Sequence, residues 1–178
     1  GELDFLGVEV SYKSSNIYEA EFFKKLSAFL FHALQKDFLT GIHPQSGAGH
    51  VDWHFSMWKD SWKILPGNNH KGLEAGIYFM WNGHAYSVQV KTATVPYQPM
   101  GKLNENERDE YIKMKNVLKL EIHNSLPNGW KKTNSELQLA KYEIHQNEKV
   151  SDIKAKLAPD LQTIGAVLDR YFSQYTPS

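Results

Sequence analysis

The sequence contains no cysteine. Disulfides, thiolate nucleophiles, thiolate zinc sites and iron–sulfur clusters are excluded together. A chain of this size buries enough apolar surface without such staples, and a cysteine-free composition fits the cytoplasm. Arginine is nearly missing as well: Arg108 and Arg170 stand beside eighteen lysines. Bidentate grip on guanine or phosphate is arginine chemistry, so arginine-based base readout has little to draw on. Neither sign of charge prevails. Twenty Lys and Arg balance twenty Asp and Glu, so no strongly basic total announces nucleic acid and no acidic tail is present. No apolar run reaches the roughly 18–20 residues that span a bilayer, and no membrane partner is expected. Gly1-Glu2-Leu3-Asp4 lacks the basic start and apolar middle of a signal peptide. With no Met in first place, it reads as a tag scar or the start of a domain cut from a longer chain.

What is present is ordinary for one globular domain: 178 residues, 41% hydrophobic and 22% charged. Leu6, Val8, Val10 and Tyr12 alternate with polar or small residues, which predicts a strand. Asn16 and Glu19 form a capping-box pair before an amphipathic helix over about 17–38. Gly41 to Gly49 reads as a loop from its Gly, Pro and Ser content. Val51, Trp53, Phe55 and Met57 then alternate with Asp52, His54 and Ser56. Pro66-Gly67-Asn68-Asn69 marks a turn. Ile77–Trp81 and Ala85–Thr92 flank Asn82-Gly83, which predicts a hairpin closed by a tight two-residue turn. A charged helix follows over about 104–125, with Tyr111, Met114, Leu118 and Ile122 as its apolar stripe and acids leading lysines. Leu137 to Ile144 predicts a last strand. Ser151 caps a final helix through Phe172 with Pro159 inside it. The order β-α-β-β-β-α-β-α predicts a single α+β domain over 1–178, a mostly antiparallel sheet with three helices packed on it.

Three groups of residues carry possible chemistry. The first is Asp52 with Gln89 and Lys91. Hard oxygen ligands for Mg²⁺ and a lysine beside the attacking water are what metal-dependent phosphodiester hydrolysis needs. Ser87, Gln89 and Lys91 share one strand face, as do Asp52, His54 and Ser56. A helical acid, Glu19 or Glu21, would complete the set. Thirty-six residues lie between Asp52 and Gln89, so another strand must stand between theirs. Gln and Lys equally suit the solvated face of an amphipathic strand.

The second is His50, Asp52 and His54, alternate positions whose donors suit zinc, iron or manganese. An exposed polar strand face accounts for them too. The third is aromatic: Trp53, Phe55, Trp58, Trp62, Tyr78, Phe79, Trp81 and Tyr86. Alternation puts several in the core. Trp58, Trp62 and Trp81 fall near strand ends, where aromatic rings can stack bases. Lys59, Lys63 and Lys71 lie close in sequence and can meet phosphate. No phosphate-cradling glycine loop precedes a helix, and no Gly-x-Ser-x-Gly elbow occurs.

The stretch Gly83 to Ala93 (GHAYSVQVKTA) resembles the glutamine-containing variant of the PD-(D/E)XK nuclease motif. Gly49-His50-Val51-Asp52 looks like the entry to that superfamily's aspartate strand. The resemblance implies that Asp52 binds the metal, Gln89 adds an oxygen ligand and Lys91 orients or deprotonates water. From about 73 to 175 the layout resembles a domain of unknown function found in bacterial restriction and phage-defence proteins. The matching features are the hairpin GIYFMWNGHAYSVQV, the segments LEIHNSLPNGWKK and LQLAKYEIH, and the helix LAPDLQTIGAVLDRYF. That resemblance implies association with DNA-defence machinery. The leading expectation is a module, without cofactor, that recognises DNA, including base-modified DNA, or a partner within a restriction or defence system. The alternatives are an Mg²⁺-dependent endonuclease using Asp52, Gln89 and Lys91, and a structural domain forming a strand-edge homodimer through its first or last strand.

Overall fold

The computed structural model describes residues 39–47, 50–67, 71–81, 86–135, 137–145 and 148–175, with backbone alone at 39–53, 55, 81 and 150. The strand expected at Leu6–Tyr12 and the helix at 17–38, including Glu19 and Glu21, lie outside the described residues. Within them the order is β1 (Leu39–Gly47), β2 (His50–Trp58), β3 (Lys63–Ile64), β4 (Gly72–Trp81), β5 (Tyr86–Val95), α1 (Glu105–Asn124), β6 (Lys131–Lys132), β7 (Gln138–Ile144) and α2 (Val150–Ser173). The class is α+β, with two α-helices among the described residues; the third expected helix, at 17–38, falls outside them.

One antiparallel sheet runs β1-β2-β4-β5-β7-β6, with β3 paired to the start of β4. The strand required between Asp52 and Gln89 is β4, which pairs β2 on one side and β5 on the other. Residues 41–47 are strand, not loop: Leu39–Gly47 pairs residue for residue with His50–Trp58. The misreading has a physical cause. Among the described residues β1 ends the sheet, and an edge strand tolerates a residue such as Pro44 that cannot donate a ladder hydrogen bond.

The β4–β5 hairpin is also longer than expected. Its outermost pair among the described residues is Trp81↔Tyr86, whereas a two-residue turn at Asn82-Gly83 would pair Trp81 with His84. The shift is two residues, so face parity is unchanged. Exposure along β5 alternates strictly. Tyr86, Val88, Val90, Thr92 and Thr94 are buried, while Ser87, Gln89, Lys91, Ala93 and Val95 are half-buried. Leu73, Ala75, Ile77 and Phe79 carry the buried face across β4.

Both helices pack on that face. In α1 the buried stripe is Tyr111, Lys115, Leu118 and Ile122. Asn104 caps it, accepting from the Glu107 backbone while the Glu107 carboxylate accepts from the Asn104 N–H. Burial places Lys115 where the apolar stripe was expected to place Met114, and the Lys115 ammonium reaches the Ser135 carbonyl at 3.2 Å. In α2, Ile153, Leu157, Leu161, Ile164, Leu168 and Phe172 recur at helical spacing and are buried. Lys149, not Ser151, stands at its N-cap, and the helix continues through exposed Pro159.

Specific bonds fasten the helices to the sheet, to each other and to the segment after α1. Tyr111 Oη and Thr92 Oγ1 lie 2.8 Å apart in the core. Tyr171 Oη donates to the Met114 carbonyl at 2.9 Å. Trp130 Nε1 donates to Asp160 Oδ2 at 2.9 Å, and Lys156 pairs with the same carboxylate at 2.8 Å. Outside β7 lies the two-residue β6, which pairs Lys131 and Lys132 with Lys141 and Ala140. Among the described residues no helix is long and apolar enough to cross a membrane.

Candidate functional site

The face of the sheet away from the helices carries the site. On β2 it presents His54, Ser56 and Trp58; on β4, Glu74, Gly76 and Tyr78; on β5, Gln89, Lys91 and Ala93. Register sets Ser56 beside Tyr78, Tyr78 beside Gln89, and Gly76 beside Lys91. Lys91 and Tyr78 are therefore diagonal neighbours, within reach of long and aromatic side chains.

Gly76 makes their contact possible. A Cβ there would stand 3.0 Å from Tyr78 Cε1 and 3.3 Å from the Met57 carbonyl oxygen. With no side chain at this point, the Tyr78 ring lies close over the β4 backbone. Lys91 Nζ sits 5.5 Å from the ring centre, a cation–π distance. The His54 ring stands on the other side, 5.7 Å from Tyr78 and tilted 48°. Burial holds the Tyr78 hydroxyl above the usual phenol range, with the charge of Glu74 adding to it. Burial also pulls the Lys91 ammonium below the usual lysine range.

These side chains line a cavity of about 280 Å³. Among the described residues its walls are His54, Ser56, Trp58, Tyr78 and Lys91, with Lys59, Trp62, Lys63, Glu74, Ala75, Thr92 and Ala93 completing the lining. Three lysines meet one carboxylate there, but they are not equivalent. Lys59 Nζ bonds Asp169 Oδ2 at 3.0 Å. Lys63 Nζ stands 3.9 Å from Glu74 Oε2, with both side chains about two-fifths exposed. No carboxylate among the described residues pairs with Lys91.

The expected nucleic-acid set is divided by this geometry. Trp58, Lys59, Trp62 and Lys63 converge on the cavity, where Lys91, expected in the nuclease set, joins them. Trp62 is only 1% exposed, so it is a core residue with an edge at the wall and not a free stacking platform. Its indole N–H donates to Asp169 Oδ1 at 2.8 Å. Lys71 lies elsewhere, 3.7 Å from Glu107 at the start of α1. The side chain of Trp81 is outside the described residues.

The nuclease set is not brought together. Gln89 turns its amide to Ser87 Oγ at 2.8 Å, and it is absent from the described cavity wall. Asp52 stands four positions along β2 from Ser56, which lies in the Gln89 row two strands away. At roughly 3.3 Å per residue and roughly 4.8 Å per strand, Asp52 and Gln89 are about 16 Å apart at the backbone. Lys91 is further still. A shared Mg²⁺ shell needs every ligand about 2 Å from one point. His50, Asp52 and His54 occupy alternate positions of β2, and the side chains of His50 and Asp52 are outside the described residues. Among the described residues no group of three His, Asp or Glu side chains is placed to hold a metal.

Sequence reasoning missed Glu74 and Gly76. The signal was available: Glu74, Gly76 and Tyr78 alternate along the first hairpin strand as Gln89, Lys91 and Ala93 do along the second.

No family model matches the chain, and neither curated proteins nor solved structures give a significant match. Functional assignment therefore rests on the chemistry of this cavity.

Proposed function

We propose that this chain is a nucleic-acid recognition module that binds through the cavity on the sheet face away from α1 and α2. The observation that carries this reading is the joint placement of Trp58, Tyr78 and His54 with Lys91 and Lys63 around one concave site. Rings of this kind hold bases by stacking, and an ammonium beside them meets the phosphate. A zero net charge suits a small footprint with few phosphate contacts rather than a long basic groove. The layout resemblance over 73–175 supports a place within a restriction or phage-defence system, with DNA as the nucleic acid.

The test is fluorescence anisotropy with labelled single-stranded and duplex DNA across a range of salt. One lysine at phosphate predicts a shallow dependence, a slope of roughly −0.7 in log K against log salt on single strands. Binding unaffected by salt, or absent for every DNA, overturns the reading.

A further inference from the structure

We infer that the cavity is built for a single unstacked nucleotide, whose phosphate meets Lys91 and whose amine-bearing base reaches Glu74; this rests on the nucleic-acid reading above. The first argument is size. A cavity of about 280 Å³ lies at the lower edge of the roughly 300–1,000 Å³ usual for small-molecule sites. It takes one nucleotide's worth of ligand, not a base pair.

The second argument is charge. Lys59 is engaged by Asp169 at 3.0 Å, and Lys63 is offset by Glu74. Lys91 has only the Tyr78 face beneath it among the described residues. One uncommitted cation calls for one anionic group. The ring that carries that cation also forms a wall, so phosphate and base are drawn to adjoining parts of one site. Burial that lowers the proton affinity of Lys91 is relieved when an anion arrives.

The third argument is the carboxylate. Glu74 is an acceptor-only group on the wall, beside Tyr78. A carboxylate accepts from the exocyclic amine of cytosine or adenine and finds no such donor on thymine. An unstacked base is required because neither the amine edge nor the ring face is free to enter such a cavity from inside a duplex.

The experiment is calorimetric titration of the full chain with dCMP, dTMP, deoxycytidine and inorganic phosphate, beside single-stranded oligo-dC. Lys91→Met keeps the stem over Tyr78 and removes the charge; Glu74→Gln keeps the shape and changes the acceptor. Circular dichroism confirms that both fold. The expected result is dCMP binding at one site, at least about tenfold tighter than dTMP and phosphate, and weakened at least tenfold in Lys91→Met. Glu74→Gln should narrow the dCMP-to-dTMP ratio. Equal binding of phosphate and dCMP would make this a bare anion site and overturn the inference. Oligo-dC binding indifferent to both substitutions overturns it while leaving nucleic-acid recognition intact. Failure of both oligo-dC and dCMP to bind removes the two together.

Discussion

Lys91 Nζ lies 5.5 Å from the centre of the Tyr78 ring, directly across the strand pair from a glycine. The relation is a consequence of register. Lys91 faces Gly76, so its stem meets no opposing side chain and its ammonium settles over the next ring along β4. The same gap lets the ring lie flat enough to wall a cavity.

Filling that gap should damage the site more than the fold. Gly76→Val places branched carbons where even a Cβ would crowd Tyr78 at 3.0 Å. The ring must swing away, at a cost of about 1–3 kcal/mol in stability. DNA binding should fall at least tenfold while the circular dichroism spectrum stays that of the wild type. Binding unchanged in a folded Gly76→Val would show that the Tyr78 wall is not part of the site.

The ionisation of Lys91 gives the site a pH dependence. Its folded pKa is lowered by burial, so the charged form that meets phosphate is lost at a pH below the ordinary lysine value of 10.5. Among the described residues the titratable groups that line the cavity with it are His54, Lys59, Lys63, Glu74 and Tyr78. The Tyr78 hydroxyl ionises late because of burial, so it adds no negative charge in this window. DNA affinity should therefore decline with rising pH before Lys91 would titrate in water, and Lys91→Met should abolish that decline. The same shift has a sign for stability. A lysine that binds protons more weakly when folded opposes folding while charged, and this opposition fades as pH rises through its folded pKa toward 10.5.

A second tyrosine should contribute to the alkaline limb of stability. Burial pushes Tyr142 up to about 12, followed by the charge of Glu148 and the hydrogen bond its hydroxyl donates there at 3.1 Å, and then by Asp160. The folded state holds this proton more tightly than the unfolded chain. Its contribution is complete below the unfolded value near 10 and is lost as pH rises through about 12. Ultraviolet titration of tyrosinate should show one group ionising near 12 that vanishes in Tyr142→Phe. The variant should also lose stability less steeply between those two values.

The joint between α2 and the segment after α1 depends on one buried carboxylate. Asp160 is 8% exposed and accepts from Trp130 Nε1 while pairing with Lys156. Asp160→Ala leaves the buried indole N–H without its acceptor, at a cost of about 2 kcal/mol and a fall of roughly 4–8 °C in Tm. Asp160→Asn keeps an acceptor and should cost less. Equal losses in the two variants would show that the ion pair, not the hydrogen bond, holds the joint.

Much of this fold was legible because its two periodicities are clean. Val88, Val90 and Thr92 against Gln89 and Lys91 announce a two-sided strand, and Leu157, Leu161, Ile164 and Leu168 announce one helix face. What was hidden depended on neighbours. Pro44 fits a strand because β1 is outermost among the described residues, a fact of sheet order rather than of local composition. Lys115 is buried only because its long stem delivers its charge to the Ser135 carbonyl. The site was half visible for the same reason. Lys91 and Tyr78 stood out as residue types, but their meeting needed the register, and Gly76 signals nothing until it is seen opposite Lys91. Register also separates Asp52 from Gln89, which spacing alone had joined.

The most direct measurement is photocrosslinking of single-stranded DNA carrying 5-iodo-deoxycytidine, with the attached peptide mapped by mass spectrometry. A base held in the cavity should crosslink to Trp58, Tyr78 or His54, and the yield should collapse in Lys91→Met. Crosslinks that fall instead on exposed rings away from the cavity, such as Tyr97 or Tyr175, and that persist in Lys91→Met would contradict the account.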